Sequence, residues 1–290
     1  MPDIQALLRY IEKRRVQEGD ASGYSFVRGI SPTIRDTFFA LACLKMTKAD
    51  SPDAQIVHFL SQYKSFNFNG AYYAVKCLRL AGARVQLQGN ALHWSYDEEE
   101  QNKPYTIPST PLIRYFKYEL YGMYASSIFS SSLSAVLKHI ELDSSRILGG
   151  LVNSTLALLD MGSRQDLMST YMALEILQAM ADRGQPVALP SSYMEKVSGF
   201  LKSCVTRKGY VGSPTSNSVT LESSYAGHRI ARFLKIPDPK GINFFIDSLQ
   251  NENGGFRASQ FGGISTLESC YLATSILYDL SSEEYGRREC

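Results

Sequence analysis

The chain has 290 residues, of which 44% are hydrophobic and 20% charged, and its formal net charge is +2. These values are typical of a globular protein and exclude a disordered chain, while the near-neutral charge gives no support for nucleic-acid binding. No apolar run approaches the roughly 18 residues of a membrane span. The five cysteines are widely spaced without a CxxC pair, which argues against a disulfide framework and a cysteine-rich zinc module. We therefore expect a cytoplasmic protein with neither a nucleic-acid partner nor a membrane span.

The first strong helix pattern is TIRDTFFALACL, from Thr33 to Leu44, with apolar residues at helical spacing. Ser31-Pro32 precedes it and predicts the helix start, because a hydroxyl cap is often followed by a proline at the first helical position. This segment carries Arg35 close to its start.

A second unit pairs the apolar stripe at 56–60 with GAYYAVKCL at 70–78, which contains Tyr72. The helix signal then lapses over 83–111, where VQLQGNALHWSY predicts a small β-hairpin followed by an acidic run. We interpret this segment as an insertion at a loop rather than a domain boundary. Two roles for it are open: a lid or partner contact, or a solvated decoration.

The remaining units continue the same template of small residues, an aromatic residue and apolar positions. The clearest pair, TLESSYAG at 220–227 and TLESCYLA at 266–273, shares five of its first six residues. Weaker copies occur at 122–128 and 169–177. Self-similarity at such a period is typical of helical repeat proteins, so the sequence predicts an all-α chain of six helix-hairpin repeats. The six aromatic anchors are Phe38, Tyr72, Tyr124, Tyr171, Tyr225 and Tyr271.

The last unit carries the residues of a family resemblance. Its Gln250, Gly254 and Phe256 are spaced as in the QW motif of squalene-type cyclases, with phenylalanine in place of tryptophan. Together with STLESCYLA, it also resembles repeats of protein farnesyl- and geranylgeranyltransferase β-subunits. The resemblance implies an α/α toroid, a single domain over 1–290 with inner helices lining a central funnel and a charged tail at 281–290. It also implies that Gln250 bridges backbone groups at helix ends.

The resemblance supplies candidate catalytic residues. Protein prenyltransferases hold zinc with an Asp-x-Cys and a histidine on inner helices. Here Glu268-x-Cys270 matches in part, Glu222 precedes Ser224 in the unit before, and no histidine falls at the equivalent place. We therefore predict no metal, with zinc as the alternative, and retain Glu222, Glu268 and Cys270 as candidate catalytic residues. Their structural alternatives are a capping box between Ser265 and Glu268 and a packed Cys270.

A diphosphate site would need basic side chains before the metal-binding carboxylate. The corresponding stretches at 213–219 and 259–265 contain no lysine or arginine, and the chain has no DxDD acid of the cyclase type. Because a toroid closes on itself, unit one lies beside unit six. Arg35, Glu222 and Glu268 are therefore expected to share one rim of the funnel.

The anchor aromatics are the other candidate site. Facing the funnel, they would make an apolar cavity with hydroxyl groups, suited to an isoprenoid chain. Facing the outer helices, they would belong to the hydrophobic core. The periodicity of the sequence is compatible with both orientations. The predicted ligand-binding residues are Arg35, Tyr72, Tyr225, Tyr271 and His228, although a helix histidine such as His228 is also often a packing residue.

Three functions follow from these observations. The first is a prenyltransferase-like toroid that binds an isoprenoid or other hydrophobic ligand in its funnel and transfers a prenyl group. The second is a non-catalytic toroid that binds a peptide or protein partner, including a helical partner subunit. The third is an enzyme that uses the carboxylates of Glu222 and Glu268 as general acid and base.

Overall fold

The structure is a computed structural model. It describes residues 2–47, 52–62, 73–74, 76–78, 80–82, 84–88, 91–95, 105–108, 166–171, 174 and 191–288. The predicted anchors Tyr72 and Tyr124 lie outside these residues.

The first element is helix α1, Ile4–Glu12, which begins where the Asp3 side chain accepts a hydrogen bond from the Ala6 amide at 2.9 Å. Leu7, Tyr10 and Ile11 recur at helical spacing and are buried on one face. An antiparallel hairpin of β1, Arg15–Glu18, and β2, Ala21–Tyr24, follows. The sequence analysis did not predict this hairpin.

Helices α2, Ile34–Met46, and α3, Ala54–Gln62, complete the first unit and begin the second. The predicted start of α2 at Ser31-Pro32 is wrong by two residues. Thr33 is the cap, because its backbone is extended and its hydroxyl accepts from the Asp36 amide at 3.0 Å.

The predicted hairpin insertion is present and contains a third strand. Strands β3, Arg84–Gln88, and β4, Ala91–Ser95, pair antiparallel, and β5, Tyr105–Pro108, pairs antiparallel with β4. The rest of the predicted insertion, including its acidic run at 97–100, lies outside the described residues.

Four further helices form the C-terminal part: α4, Ser191–Ser203; α5, Leu221–Leu234; α6, Ile242–Asp247; and α7, Leu267–Arg288. Helix α5 packs against α4 on one side and α7 on the other, and α7 packs against α2. The last inner helix therefore lies beside the first, which is the closure expected of a ring. Most of the predicted charged tail at 281–290 belongs to α7.

The loop between α6 and α7 fastens this closure. The Gln250 Oε1 atom accepts from the Asp3 amide at 2.7 Å, and its Nε2 donates to the Asp3 and Gly254 carbonyls at 2.9 and 3.0 Å. Gly254 has a φ of +88°, and a Cβ there would lie 2.2 Å from the Ala6 carbonyl oxygen. Gln250 therefore ties the last loop to the start of α1, and only glycine fits at the contact.

Within the described part of the chain, no helix is both long enough and apolar enough to cross a membrane.

Candidate functional site

Four inner helices begin with the same local structure. At each start, the capping side chain accepts from the backbone N–H three residues later, at 2.9 to 3.1 Å. The four caps are Thr33, Asp166, Thr220 and Thr266. The predicted capping box of Ser265 with Glu268 is therefore wrong, since Thr266 caps α7 and Ser265 Oγ donates instead to Asn253 Oδ1 at 2.9 Å. Glu268 is left free for another contact.

The fourth residue after the cap has a structural role in three of these units. Its side chain accepts a backbone N–H from the preceding segment, at 3.0 Å for Thr37, 3.5 Å for Ser224 and 3.4 Å for Cys270. Cys270 thus does what a hydroxyl does in the other two units. It is fully buried, and burial raises the pKa of its thiol to about 12. Cys270 is therefore packed, as in the structural alternative given by the sequence, and its burial disfavours a thiolate.

The second residue after the cap points to the rim and differs between units: Arg35, Met168, Glu222 and Glu268. Arg35 Nη2 lies 2.6 Å from Glu268 Oε2, and the two side chains are 52% and 46% exposed. Partial burial, then the charges of Glu268 and Asp166, raise the pKa of Glu222 above its ordinary value. Arg35, Glu222 and Glu268 therefore share one rim, in the arrangement expected from ring closure.

The aromatic residues form a continuous series from unit four, through units five, six and one, to unit two. The Tyr171 and Tyr225 hydroxyl oxygens are 3.4 Å apart, as are those of Tyr225 and Tyr271. The Tyr271 ring centroid lies 5.4 Å from those of Phe38 and Phe39, and Tyr73 lies 5.6 Å from both phenylalanines. We call these six residues the aromatic ladder. Its member in unit two is Tyr73, next to the predicted Tyr72.

Helical spacing shows which way the ladder faces. Tyr225 shares one face of α5 with Glu222 and Arg229, one turn to either side. The opposite face carries Gly227, where a Cβ would lie 2.2 Å from the Tyr210 ring of the outer layer. On α5 the ladder therefore lies on the face that carries Glu222, opposite the face that packs against Tyr210. Tyr225 is buried by its neighbours, whereas Tyr171 and Tyr271 are partly exposed.

Two cations already cover the phenylalanines of the ladder. Lys76 Nζ lies 4.9 Å from the Phe38 ring centroid, and the Arg35 guanidinium carbon lies 5.5 Å from that of Phe39. These are cation–π distances. The ring surface open to a ligand is therefore mainly that of the partly exposed tyrosines.

His228 does not reach the funnel. Its side chain is fully buried, with Nδ1 2.8 Å from Asp238 Oδ2 and Nε2 3.2 Å from Asp279 Oδ2. Burial opposes the charged imidazolium, but the hydrogen bonds to both carboxylates outweigh it and raise the pKa of His228. His228 therefore occupies the packing position that the sequence analysis gave as its alternative, and its side chain has no exposed surface.

Sequence reasoning missed the rest of this network, in which two partly exposed arginines join the buried histidine. Arg229 Nη1 and Arg232 Nε lie 3.4 and 3.6 Å from Asp279 Oδ2, and Tyr210 Oη donates to Asp238 Oδ1 at 2.9 Å. Burial would raise the pKa of Asp279, but the hydrogen bond from His228 and the two arginines lower it. A charge in the fourth turn of α7 gives no sequence signal of its distant partners.

The residues present do not fit the zinc site of protein prenyltransferases. The Cys270 thiol accepts the Phe256 amide on the buried side, while the Glu268 carboxylate binds Arg35 at the rim. The described residues contain no group of three or more His, Cys, Asp or Glu that could hold a metal ion. The rim also does not suit a diphosphate, since its arginine is already paired and Glu222 lies nearby.

Paired helices, inner helices that meet at the closure and an aromatic lining together define an α/α toroid. The family model of the prenyltransferase alpha-alpha toroid domain matches residues 54–238 and 163–286, so the chain belongs to that family. This confirms the predicted fold class and the family resemblance. No curated protein matches the chain.

Proposed function

We propose that this protein binds an apolar, isoprenoid-type ligand in its central funnel, along the aromatic ladder, without transferring it. The observation that carries the proposal is the continuity of the ladder across the junction of the last and first units. Partly exposed Tyr171 and Tyr271 offer ring surface beside their hydroxyl groups, a combination suited to an apolar chain with a small polar end.

The charge of the rim supports a ligand with a neutral polar end. Arg35 is paired with Glu268, and partial burial followed by the charges of Glu268 and Asp166 raises the pKa of Glu222, which supports a ligand that adds no further negative charge. A diphosphate would bring further negative charge to the same rim and would have to displace Glu268 from Arg35. Prenyl transfer is therefore not part of the proposal. Glu222 and Glu268 are proposed as polar contacts for a hydroxyl group rather than as catalytic residues.

Binding of farnesol and farnesyl diphosphate, measured by isothermal titration calorimetry, tests the proposal. Farnesol is expected to bind the purified chain, and farnesyl diphosphate to bind more weakly. Tyr271→Ala removes partly exposed ladder surface and should weaken farnesol binding about tenfold or more. Phe244→Ala is the matched control, because Phe244 is 77% exposed on α6, outside the ladder.

Absence of farnesol binding would overturn the proposal, as would equal losses in the Tyr271 and Phe244 variants. Tighter binding of farnesyl diphosphate than of farnesol would contradict the proposal that the ligand has an uncharged polar end. Prenyl transfer would then again be a candidate function.

A protein partner, such as the helical subunit implied by the family resemblance, is the second candidate function. Phe244 and Phe261, at 77% and 87% exposure, place two large aromatic side chains on the surface of the last unit. Sedimentation of the purified chain mixed with a candidate helical subunit, with Phe261→Ser as the variant, tests it. We further propose that the protein is cytoplasmic, in keeping with the free thiols of Cys43, Cys77, Cys204 and Cys270.

A further inference from the structure

A cavity lies away from the aromatic ladder, where the first unit meets the last. It has a volume of about 670 Å³ and lies between the segment that follows β2 and the loop that joins α6 to α7. We call it the seam cavity. It shares no residue with the aromatic ladder or with the rim positions. Its volume is that of an ordinary small-ligand site.

Direct contacts between the two units hold the walls of the seam cavity. Tyr10 Oη donates to the Ser265 carbonyl at 2.7 Å, and a Cβ on Gly255 would lie 2.6 Å from Ser265 Cβ and 2.9 Å from the Tyr10 ring. The Gln250 bonds to Asp3 add a second connection. The cavity is therefore preformed by the same contacts that close the ring, which lowers the cost of ordering it around a ligand.

Two guanidinium groups line the seam cavity. Arg14 Nη1 donates to the Phe26 carbonyl at 2.6 Å, and Arg257 donates to the Ser248 carbonyl at 2.9 Å and to Asn251 Oδ1 at 3.3 Å. All these acceptors are neutral. Within the described ranges, neither arginine has a carboxylate partner, and the buried Arg257 Nε has no acceptor at all. Hydrogen bonds to neutral acceptors thus hold both guanidinium groups in place, and no carboxylate of the described residues neutralises their charge.

The polar side chains between the arginines use their acceptor atoms within the protein. Asn251 Nδ2 donates to Ser265 Oγ at 2.9 Å, and Ser265 Oγ donates to Asn253 Oδ1 at 2.9 Å. Asn251 Oδ1 already accepts from Arg257. The amide N–H groups of Gln250 and Asn251 are also used within the protein, so the cationic N–H donors of the two arginines are what the cavity offers an acceptor ligand.

Apolar side chains flank these donors. Val27 and Ile264 line the same cavity and are 40% and 69% exposed. Glu252 is the one carboxylate among the lining residues and is exposed. The lining as a whole thus carries one net positive charge beside an apolar surface, which suits a monoanion attached to an apolar group.

We propose that the seam cavity binds a carboxylate that is attached to an apolar group, with Arg14 and Arg257 as its anion contacts. A carboxylate matches the planar fork of a guanidinium and brings a single negative charge. The carboxylate of a small apolar acid and that of a peptide C-terminus share this chemistry. The inference does not depend on the proposed ligand of the funnel.

Fluorescence anisotropy with a labelled hexapeptide that ends in leucine, and competition by octanoate, tests the proposal. The peptide with a free C-terminal carboxylate is expected to bind at least about tenfold more tightly than its C-terminal amide. Competition by octanoate would assign the site to small acids as well. If octanoate binds by calorimetry but the peptide does not, the site takes small acids alone.

Charge variants separate this site from general attraction to a basic surface. Arg257→Gln should weaken binding about tenfold, whereas Arg28→Gln, an exposed arginine that does not line the cavity, should leave it unchanged. Arg257→Gln also removes hydrogen bonds from Arg257 to Ser248 and Asn251, so a second variant is needed that leaves these bonds in place. Glu252→Gln is that variant, because it changes an exposed side chain. It should tighten binding by removing the only opposing charge among the lining residues.

Three results would overturn the proposal: no binding of either carboxylate, equal binding of the peptide acid and its amide, or equal losses in the Arg257 and Arg28 variants. Weaker binding by Glu252→Gln would overturn the assignment of the anion to this cavity.

Discussion

The funnel face and the outer face of the inner helices are built from the same repeated segments. They differ in whether a given position of the repeat keeps the same chemical role from one unit to the next. On the outer face, Thr37, Ser224 and Cys270 all accept a backbone N–H, and all are buried. At the rim, the second position after each cap carries Arg35, Glu222 and Glu268, which are partly or largely exposed. The outer face holds the repeats together, while the funnel face is where one unit differs chemically from the next.

Burial makes charges behave differently on the two sides as well. The Arg35–Glu268 pair is about half exposed, so water weakens it. His228 and Asp279 are 0% and 17% exposed and have each other as partners. Loss of Asp279 removes one of the two carboxylates that the buried His228 contacts, which is more destabilising than loss of an exposed pair.

The largest expected effect is therefore that of Asp279→Asn. It removes the charge facing His228, Arg229 and Arg232, and should lower the free energy of unfolding by about 3 kcal/mol. Glu268→Gln is the matched change on the funnel side and should lower it by less than about 1 kcal/mol. Urea unfolding followed by circular dichroism measures both. Equal losses would contradict the distinction between the two faces.

A smaller effect is expected at Cys270. Cys270→Val keeps the approximate volume but leaves the buried Phe256 N–H without its acceptor, which should destabilise the fold by about 1–3 kcal/mol. Cys270→Ser keeps an acceptor, as Ser224 does in the preceding unit, and should lose less than the valine variant. Thermal unfolding of the two variants gives the comparison. A serine variant that is stable but no longer binds farnesol would assign Cys270 to the funnel site instead.

The third expected effect is a pH dependence of stability that arises from His228. Its pKa is raised in the folded state, so its contribution is fully present below the unfolded value of about 6.5 and is lost as the pH rises through the folded pKa. The loss should be at most about 1.4 kcal/mol per pH unit in that window. The lowered pKa of Asp279 keeps that carboxylate ionised throughout.

Unfolding of the wild type and of His228→Gln at several pH values above about 6 measures this effect. The stability difference between them should shrink as the pH rises, because the variant has no proton to lose at this position. A difference that grows with pH would show that the buried imidazole is neutral.

Much of the toroid was predictable because its repeats have local signatures. An N-cap, an apolar residue that follows it and an aromatic residue one turn later recur in chain order, and each acts within its own helix. The boundaries were less predictable: the caps of α2 and α7 are Thr33 and Thr266, not Ser31 and Ser265, since several neighbouring hydroxyls satisfy the same local pattern. The β1–β2 hairpin was missed because its strands are short and polar.

The candidate site was predictable only in part. Ring closure placed Arg35 near Glu268, although they are 233 positions apart in the chain. For Cys270 and His228 the sequence left a packed and a functional role open, because a buried acceptor and a ligand contact can occupy the same helical spacing. The seam cavity and the Asp279 network depend on side chains from distant segments, for which spacing carries no signal.

The sequence by itself determined the all-α repeat architecture, its family and the positions of Phe38, Tyr171, Tyr225 and Tyr271 in the ladder, since helix starts and apolar periodicity are local properties. Only the tertiary structure decided which side of each helix faces the funnel, and hence that Tyr225 and Tyr271 belong to the ladder while Cys270 and His228 belong to the buried side. The physical reason is that residues of every face of a helix alternate along the sequence. Packing against neighbouring helices then decides which face water and ligands reach.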